Sequence, residues 1–249
     1  ICFVQRAVGW ALTGDVSEQA LFILYGIGAN GKSTFLNTLM QLMGDYGMQT
    51  PTETLMAKRG DQVSNDIARL RGTRYVTAIE AEQGRRLAES LIKQLTGADH
   101  MTARFLYGEF FDFIPTFKIF LATNHKPVIR GTDYAIWRRI RLIPFEVTIP
   151  CEEQDHRLGE KLSEEFPGIL NWAIEGCLTW QREGLGTVPA VERATEVYRG
   201  EMDILASFLG ECCERRNNTM VRARDLFKAY QRWCEEANER AQSERAVGM

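Results

Sequence analysis

The chain has 249 residues, 45% of them hydrophobic and 25% charged, with a formal net charge of -3. That composition is ordinary for a globular protein of one large domain, or one domain with a small appendage, and it excludes wholesale disorder and collagen-like repeats. No apolar run approaches the ~18 residues of a membrane span, and an acidic total confines any nucleic-acid surface to a local patch.

Apolar Phe3, Ala7, Trp10 and Ala11 give residues 2–13 a helical spacing. The opening residues are no secretory signal, and a start without Met is expected of a fragment of a longer polypeptide. Ala20 to Tyr25 is a continuous apolar run stopped by Gly26, as in a strand buried on both faces of a parallel sheet. Ser33 to Met43 then carries Phe35, Leu36, Leu39 and Met43 on one helical stripe. Strand, glycine-rich turn and helix in that order make half of a βαβ unit.

A second strand is expected at Arg74–Ile79, a helix at Leu87–Leu95, and a hairpin of Met101–Tyr107 and Phe110–Ile114 around Gly108-Glu109. Phe117–Ala122 and Ile140–Phe145 read as two more buried strands. From about residue 151 the pattern turns helical: Leu170, Ile174 and Leu178 repeat every four residues, and further helices are expected at Pro189–Tyr198, Asp203–Cys213 and Ala223–Asn238. The fold class is therefore α/β, with a parallel-sheet core over residues 1–150, a helical extension over 151–200 and a helical segment over 201–249. That last segment carries eight Lys/Arg and eight Asp/Glu from 203 onward. It reads as an incomplete winged-helix or helix-turn-helix module, or as a packing or partner-binding element.

The six cysteines form no C-x-x-C pair, and His100, His125 and His156 lie outside zinc-finger spacing. A chain of this length needs no disulfide staples, so a reducing, cytoplasmic compartment is expected. Cys212 and Cys213 read as small packed residues on a helix.

Gly26-Ile27-Gly28-Ala29-Asn30-Gly31-Lys32-Ser33 fits G-x-x-x-x-G-K-[ST] in full, between a predicted strand and a predicted helix. Glycines let the backbone curl so that successive N–H groups point at phosphate oxygens, and the helix adds its positive amino end. In that arrangement Gly26, Gly28, Ala29, Asn30, Gly31, Lys32, Ser33 and Thr34 hold the phosphates of ATP. Lys32 reaches the β- and γ-phosphates and the Ser33 hydroxyl ligates Mg²⁺. Glu80, where the second strand stops, is the candidate acid beside the metal, with Glu82 close by.

Beyond this loop, Lys93-Gln94-Leu95-Thr96-Gly97-Ala98-Asp99, Phe120-Leu121-Ala122-Thr123-Asn124-His125-Lys126-Pro127 and Gly131-Thr132-Asp133 followed by Trp137-Arg138-Arg139-Ile140-Arg141-Leu142-Ile143-Pro144-Phe145 stand in order. Together they resemble the motifs of superfamily 3 helicases, and more closely the C-terminal helicase part of phage and plasmid primase–helicase proteins. The resemblance covers most of residues 7–200. It implies an AAA+-like P-loop NTPase that hydrolyses ATP with Mg²⁺, assembles as a homo-oligomeric ring, usually a hexamer, and moves single-stranded DNA during replication in the cytoplasm of a bacterial host. It further implies that Glu80 is the metal-associated acid, that Asn124 is the polar sensor of the lytic water or γ-phosphate, and that Arg138 or Arg139 reaches a neighbour's ATP. Lys93 falls in the motif ahead of the channel hairpin, and a primase domain would lie upstream of this segment. Ala81 separates Glu80 from Glu82, so either glutamate is a candidate for orienting water.

Between Arg104 and Phe145 there are seven Lys/Arg against three Asp/Glu, a local positive excess that suits a single-strand channel. Arg104 and Lys93 are the expected DNA contacts, whereas the phenylalanines beside the hairpin turn alternate as core residues do. Two other readings of the chain are a small-molecule P-loop kinase and a nucleotide-gated DNA-binding scaffold without turnover.

Overall fold

The computed structural model describes the chain apart from residues 59–64, 132, 215, 218, 238–240, 242 and 245–249. It divides into two units, residues 1–198 and 199–249.

The first unit opens with α1 (Cys2–Ala11), then β1 (Leu21–Tyr25), α2 (Lys32–Met43), β2 (Gly47–Gln49), α3 (Asn65–Ala68) and β3 (Tyr75–Ile79). It continues with α4 (Glu89–Leu95), β4 (Met101–Arg104), β5 (Phe110–Phe113), β6 (Lys118–Thr123), α5 (Tyr134–Trp137) and β7 (Ile140–Pro144). After these come α6 (Leu158–Glu164), α7 (Phe166–Glu183) and α8 (Pro189–Met202), whose last four residues belong to the second unit. Five strands form one sheet in the order β2-β3-β6-β1-β7, every pairing parallel. The apolar runs read as buried strands are β1, β3, β6 and β7. The three-residue edge strand β2 is too short to carry a periodic signal. All five strands run the same way, so the carboxyl ends of β1, β3 and β6 open on one crevice, where ligands bind in such sheets.

Phe22 of β1 stacks on Phe120 of β6 with ring centroids 4.6 Å apart, and Tyr75 of β3 lies 4.9 Å from the same ring. Phe3, Ala7, Trp10 and Ala11 of α1 and Leu36, Leu39 and Met43 of α2 join that core. The predicted α1 stripe is therefore buried. On α7, by contrast, Leu170, Ile174 and Leu178 are partly exposed, and the buried residues are Ala173 and Gly176. The reason is a close crossing with α1. A Cβ on Gly9 would come within 2.1 Å of the Cys177 nitrogen, and one on Gly176 within 2.1 Å of the Gln5 carbonyl oxygen. Small residues win this face because backbone approach, rather than side-chain bulk, fills it.

Lys118 begins β6 and is buried at the edge farthest from the crevice. Its Nζ donates to the Thr13 carbonyl oxygen at 2.5 Å and sits 5.0 Å from the Trp10 ring centroid. Burial pushes its pKa down to about 7, with Asp15 opposing and Arg74 reinforcing the shift.

β4 and β5 form the expected hairpin, but shorter: Met101 pairs with Phe113 and Arg104 with Phe110, leaving a loop of residues 105–109. Tyr107 turns that loop with φ +63°. The expectation that the neighbouring phenylalanines are core fails for two of them, since Phe105 and Phe110 are exposed while Phe113 is buried. The hairpin stands off the main sheet as a two-stranded ribbon, so only its base reaches a core.

In the second unit, Asp203 caps α9 (Ile204–Cys212) by accepting from the Ala206 N–H at 2.9 Å. Phe208 packs on Tyr230 and Cys234 of α10 (Ala223–Glu236). Asn238, where this last helix was expected to end, lies outside the described residues. Cys212 is exposed at the end of α9, whereas Cys213, just past the helix, is half-buried against the Phe208 cluster, so only the second of the pair packs as expected.

Candidate nucleotide and metal site

Residues 26–31 run as a loop from β1 into α2. Gly26 is required by contact: a Cβ there would lie 2.1 Å from the Phe145 carbonyl oxygen. Gly31 takes φ +83°, the left-handed region that glycine enters without cost, and Ala29 is bent the same way at +54°. The Asn30 amide donates to the Ile27 carbonyl at 2.9 Å and to the Phe145 carbonyl at 3.0 Å. Its oxygen accepts from Lys32 Nζ at 2.9 Å, and the same ammonium donates to the Gly26 carbonyl at 2.6 Å. Lys32 is thus folded across the loop and largely buried, which lowers its pKa from the ordinary lysine value.

A cleft of about 300 Å³ opens over this loop, lined by Gly28 to Thr34 together with Ile79, Glu80 and Asn124. The predicted phosphate-binding residues, the predicted metal-side acid and the predicted sensor therefore meet in one place. Beside it lies a larger cleft of about 770 Å³, lined among others by Thr52, Arg69, Glu80, Glu82, Asn124 and His125.

Glu80 follows β3 with φ +63°, a region that non-glycine residues seldom occupy. Its N–H still donates to the Ala122 carbonyl at 2.9 Å, so the bend comes one residue after the ladder ends. Ala81 then turns inward and is buried, while Glu80 and Glu82 both face solvent. The intervening alanine is what sets two carboxylates on the same rim. Thr52 braces this turn by donating to the Ile79 carbonyl at 2.9 Å. Asn124 is presented by a side-chain turn in which Thr123 Oγ1 donates to the His125 carbonyl and accepts from the His125 N–H. Neither carboxylate nor Asn124 makes a hydrogen bond or ion pair with a described residue.

Among the described residues no three His, Cys, Asp or Glu side chains gather into a metal cluster. What the cleft offers is the Ser33 hydroxyl and the Glu80 carboxylate. So sparse an oxygen set fits Mg²⁺, which keeps several waters and takes phosphate oxygens as ligands.

Arg138, Arg139 and Lys93 do not line the phosphate cleft. Arg139 is buried: Nε donates to Thr96 Oγ1 at 3.2 Å, Nη1 to the Ala135 carbonyl at 2.5 Å and Nη2 to Gln19 Oε1 at 3.1 Å. Burial, aided by Arg138, lowers its pKa. Arg138 is exposed and donates to the same Gln19 oxygen. Lys93 is held 2.6 Å from Asp133, whose pKa that contact lowers, and Asp133 also caps α5 through the Ile136 N–H. Arg104 is exposed on β4 with its guanidinium 4.9 Å above the Phe110 ring. Gln19 and Thr52 had no sequence signal. Their roles arise from bends in the backbone that no spacing records.

The profile of a family described only as a family of unknown function (DUF5906) matches residues 24–139, the stretch from the end of β1 to Arg139. A protein of Acanthamoeba polyphaga mimivirus named "putative helicase" is 29% identical across 93% of this chain and 26% of its own length. One of African swine fever virus named "putative primase" is 25% identical across 87% of this chain and 25% of its own. The chain thus spans about a quarter of the viral relatives it resembles. Among solved structures, the apo C-terminal region of NrS-1 (305–718) superposes with a TM-score of 0.59 at 12% identity, over 82% of this chain and 49% of that one. That likeness is one of fold: a parallel five-stranded α/β core with flanking helices.

Proposed function

We propose that this chain is the ATP-hydrolysing motor of a replicative DNA helicase of the superfamily 3 type. One observation carries the reading: Lys32, Ser33, Glu80 and Asn124, drawn from three separated stretches of sequence, line a single cleft at the carboxyl ends of β1, β3 and β6. A phosphate cradle facing an acid and a neutral polar side chain is the equipment of phosphoryl transfer to water. Lys32 neutralises charge on the β- and γ-phosphates. Ser33 and Glu80 would hold Mg²⁺, which when bound would offset the charge of the triphosphate. Asn124 and one of Glu80 and Glu82 orient the attacking water.

The helicase and primase names of the viral relatives support a role in DNA replication. In this reading the site is completed by a second copy of the chain in a ring, with the exposed Arg138 as the residue that crosses the interface. Arg139 is held inside its own subunit by three hydrogen bonds. Single-stranded DNA meets the β4–β5 hairpin, where Arg104 stands among exposed Phe105, Tyr107 and Phe110.

The cleft beside Glu82 is roomy enough for a small phosphoryl acceptor, which favours a kinase as the second reading. One assay separates the two: ATP hydrolysis measured against protein concentration, with and without single-stranded DNA, with Lys32→Ala as control. Hydrolysis that rises steeply with concentration and with DNA supports the motor. Hydrolysis linear in protein and indifferent to DNA sinks it.

A further inference from the structure

The phosphate site has a direction. Glu80 and Asn124 follow β3 and β6, which lie on one side of β1, whereas β7 lies on the other. A nucleotide whose terminal phosphate faces Glu80 and Asn124 must therefore send its sugar and base away from them, toward β7. The segment leaving β7 is built against the loop on that side. The Phe145 N–H donates to the Tyr25 carbonyl at 2.7 Å, the Asn30 amide joins the Ile27 and Phe145 carbonyls, and the Ile149 N–H donates to the Ala29 carbonyl at 2.7 Å. Two spans of backbone, 26–29 and 145–149, are thus tied at both ends, with Ile27 and Val147 between the ties.

Those two residues are the anomaly. Ile27 is 81% exposed and Val147 76%, on segments otherwise pinned by hydrogen bonds. Single exposed aliphatics are common, but these two stand on backbone segments that hydrogen bonds tie to one another on either side of them. The backbone groups of Glu146, Val147 and Thr148 make no hydrogen bond with a described residue, so they remain open to the edge of a ligand.

We infer that Ile27 and Val147 form the base subsite of this ATPase, gripping a purine between aliphatic side chains while the backbone of residues 146–148 meets its polar edge. This rests on the phosphate-loop reading and adds to it the residues that select the base. Aliphatic contact grows with the size of the ring, so ATP and GTP bind more tightly than CTP or UTP.

The test is calorimetric binding, with no turnover required, of ATP, CTP and inorganic tripolyphosphate to the wild type and to a double variant, Ile27→Ser with Val147→Ser. Both side chains are exposed, so the fold does not depend on them. The variant is expected to lose about tenfold in ATP affinity, to bring ATP and CTP close together, and to bind tripolyphosphate as the wild type does. Unchanged ATP affinity overturns the inference while leaving the phosphate loop intact. Equal loss for ATP and tripolyphosphate also overturns it, because the variant would then act on the loop itself. A shift in oligomeric state with ATP affinity unchanged assigns the pair to a subunit contact instead. Wild-type protein that binds neither ATP nor tripolyphosphate fails the phosphate-loop reading itself, and this one with it.

Discussion

The ammonium of Lys32 donates to Asn30 Oδ1 at 2.9 Å, and the amide of that same Asn30 holds the carbonyls of Ile27 and Phe145. One side chain thereby aims the lysine and fixes the loop that carries it. Lys32→Ala is expected to lower kcat for ATP at least about 100-fold, the usual consequence of removing a preorganised charge partner. Asn30→Ala is expected to act mainly on KM, because the lysine stays and only its aim is lost. Steady-state kinetics on both variants, with thermal melts to check folding, separates the two effects.

Arg138 and Arg139 are neighbours with opposite fates. Arg139→Ala removes the donor to Thr96 Oγ1 and the Ala135 carbonyl inside the fold, and should cost about 2 kcal/mol of stability in urea denaturation. Arg138→Ala is expected to leave stability unchanged and to abolish only the part of ATP hydrolysis that rises with protein concentration. A stable Arg139→Ala, or an Arg138→Ala that hydrolyses as the wild type does, contradicts this division.

Tyr107 stands 99% exposed at the hairpin turn, flanked by exposed Leu106 and Phe105. Base stacking on an aromatic ring contributes roughly 1–3 kcal/mol. Tyr107→Ala should therefore weaken single-stranded DNA binding at least about tenfold in fluorescence anisotropy, while hydrolysis without DNA stays as it was.

Lys118 predicts how stability varies with pH. Its folded pKa is about 7, against the ordinary lysine value of 10.5 when unfolded. Between those values the unfolded chain binds the extra proton, so stability contributed by this site rises with pH from about 7 to 10.5 and is lowest below 7. Lys118→Met, which keeps the buried volume, should flatten the rise. Urea midpoints at pH 6.5 and 9 measure it, and identical slopes for variant and wild type would falsify the assignment.

The sheet was legible because strands buried on both faces write themselves as unbroken apolar runs, and the turn from β1 into α2 because its glycines and lysine stand at fixed spacing. Glu80 and Asn124 were legible for a related reason: each stands where a run stops. The helix α7 was legible as a helix but not by its buried face, since Gly9 and Gly176 let backbones touch and leave Leu170 and Ile174 partly outside. The hairpin misled because alternation of phenylalanines carries no sign of whether a partner layer exists. Nor does an arginine pair announce that one member bonds inward to Thr96, which stands 43 residues earlier.

Four non-glycine residues among those described have positive φ: Gln19, Ala29, Glu80 and Tyr107. Gln19 receives both arginines, Ala29 lies in the phosphate loop, Glu80 is the rim acid and Tyr107 tips the hairpin. Each such bend costs on the order of 1 kcal/mol that a glycine would not incur. Glu80→Gly is accordingly expected to raise the melting temperature while extinguishing hydrolysis, a trade detectable by pairing calorimetry with the ATPase assay. With that outcome robustness and turnover pull against each other, and sequence drift toward glycine at these four points would yield a sturdier protein with less to do.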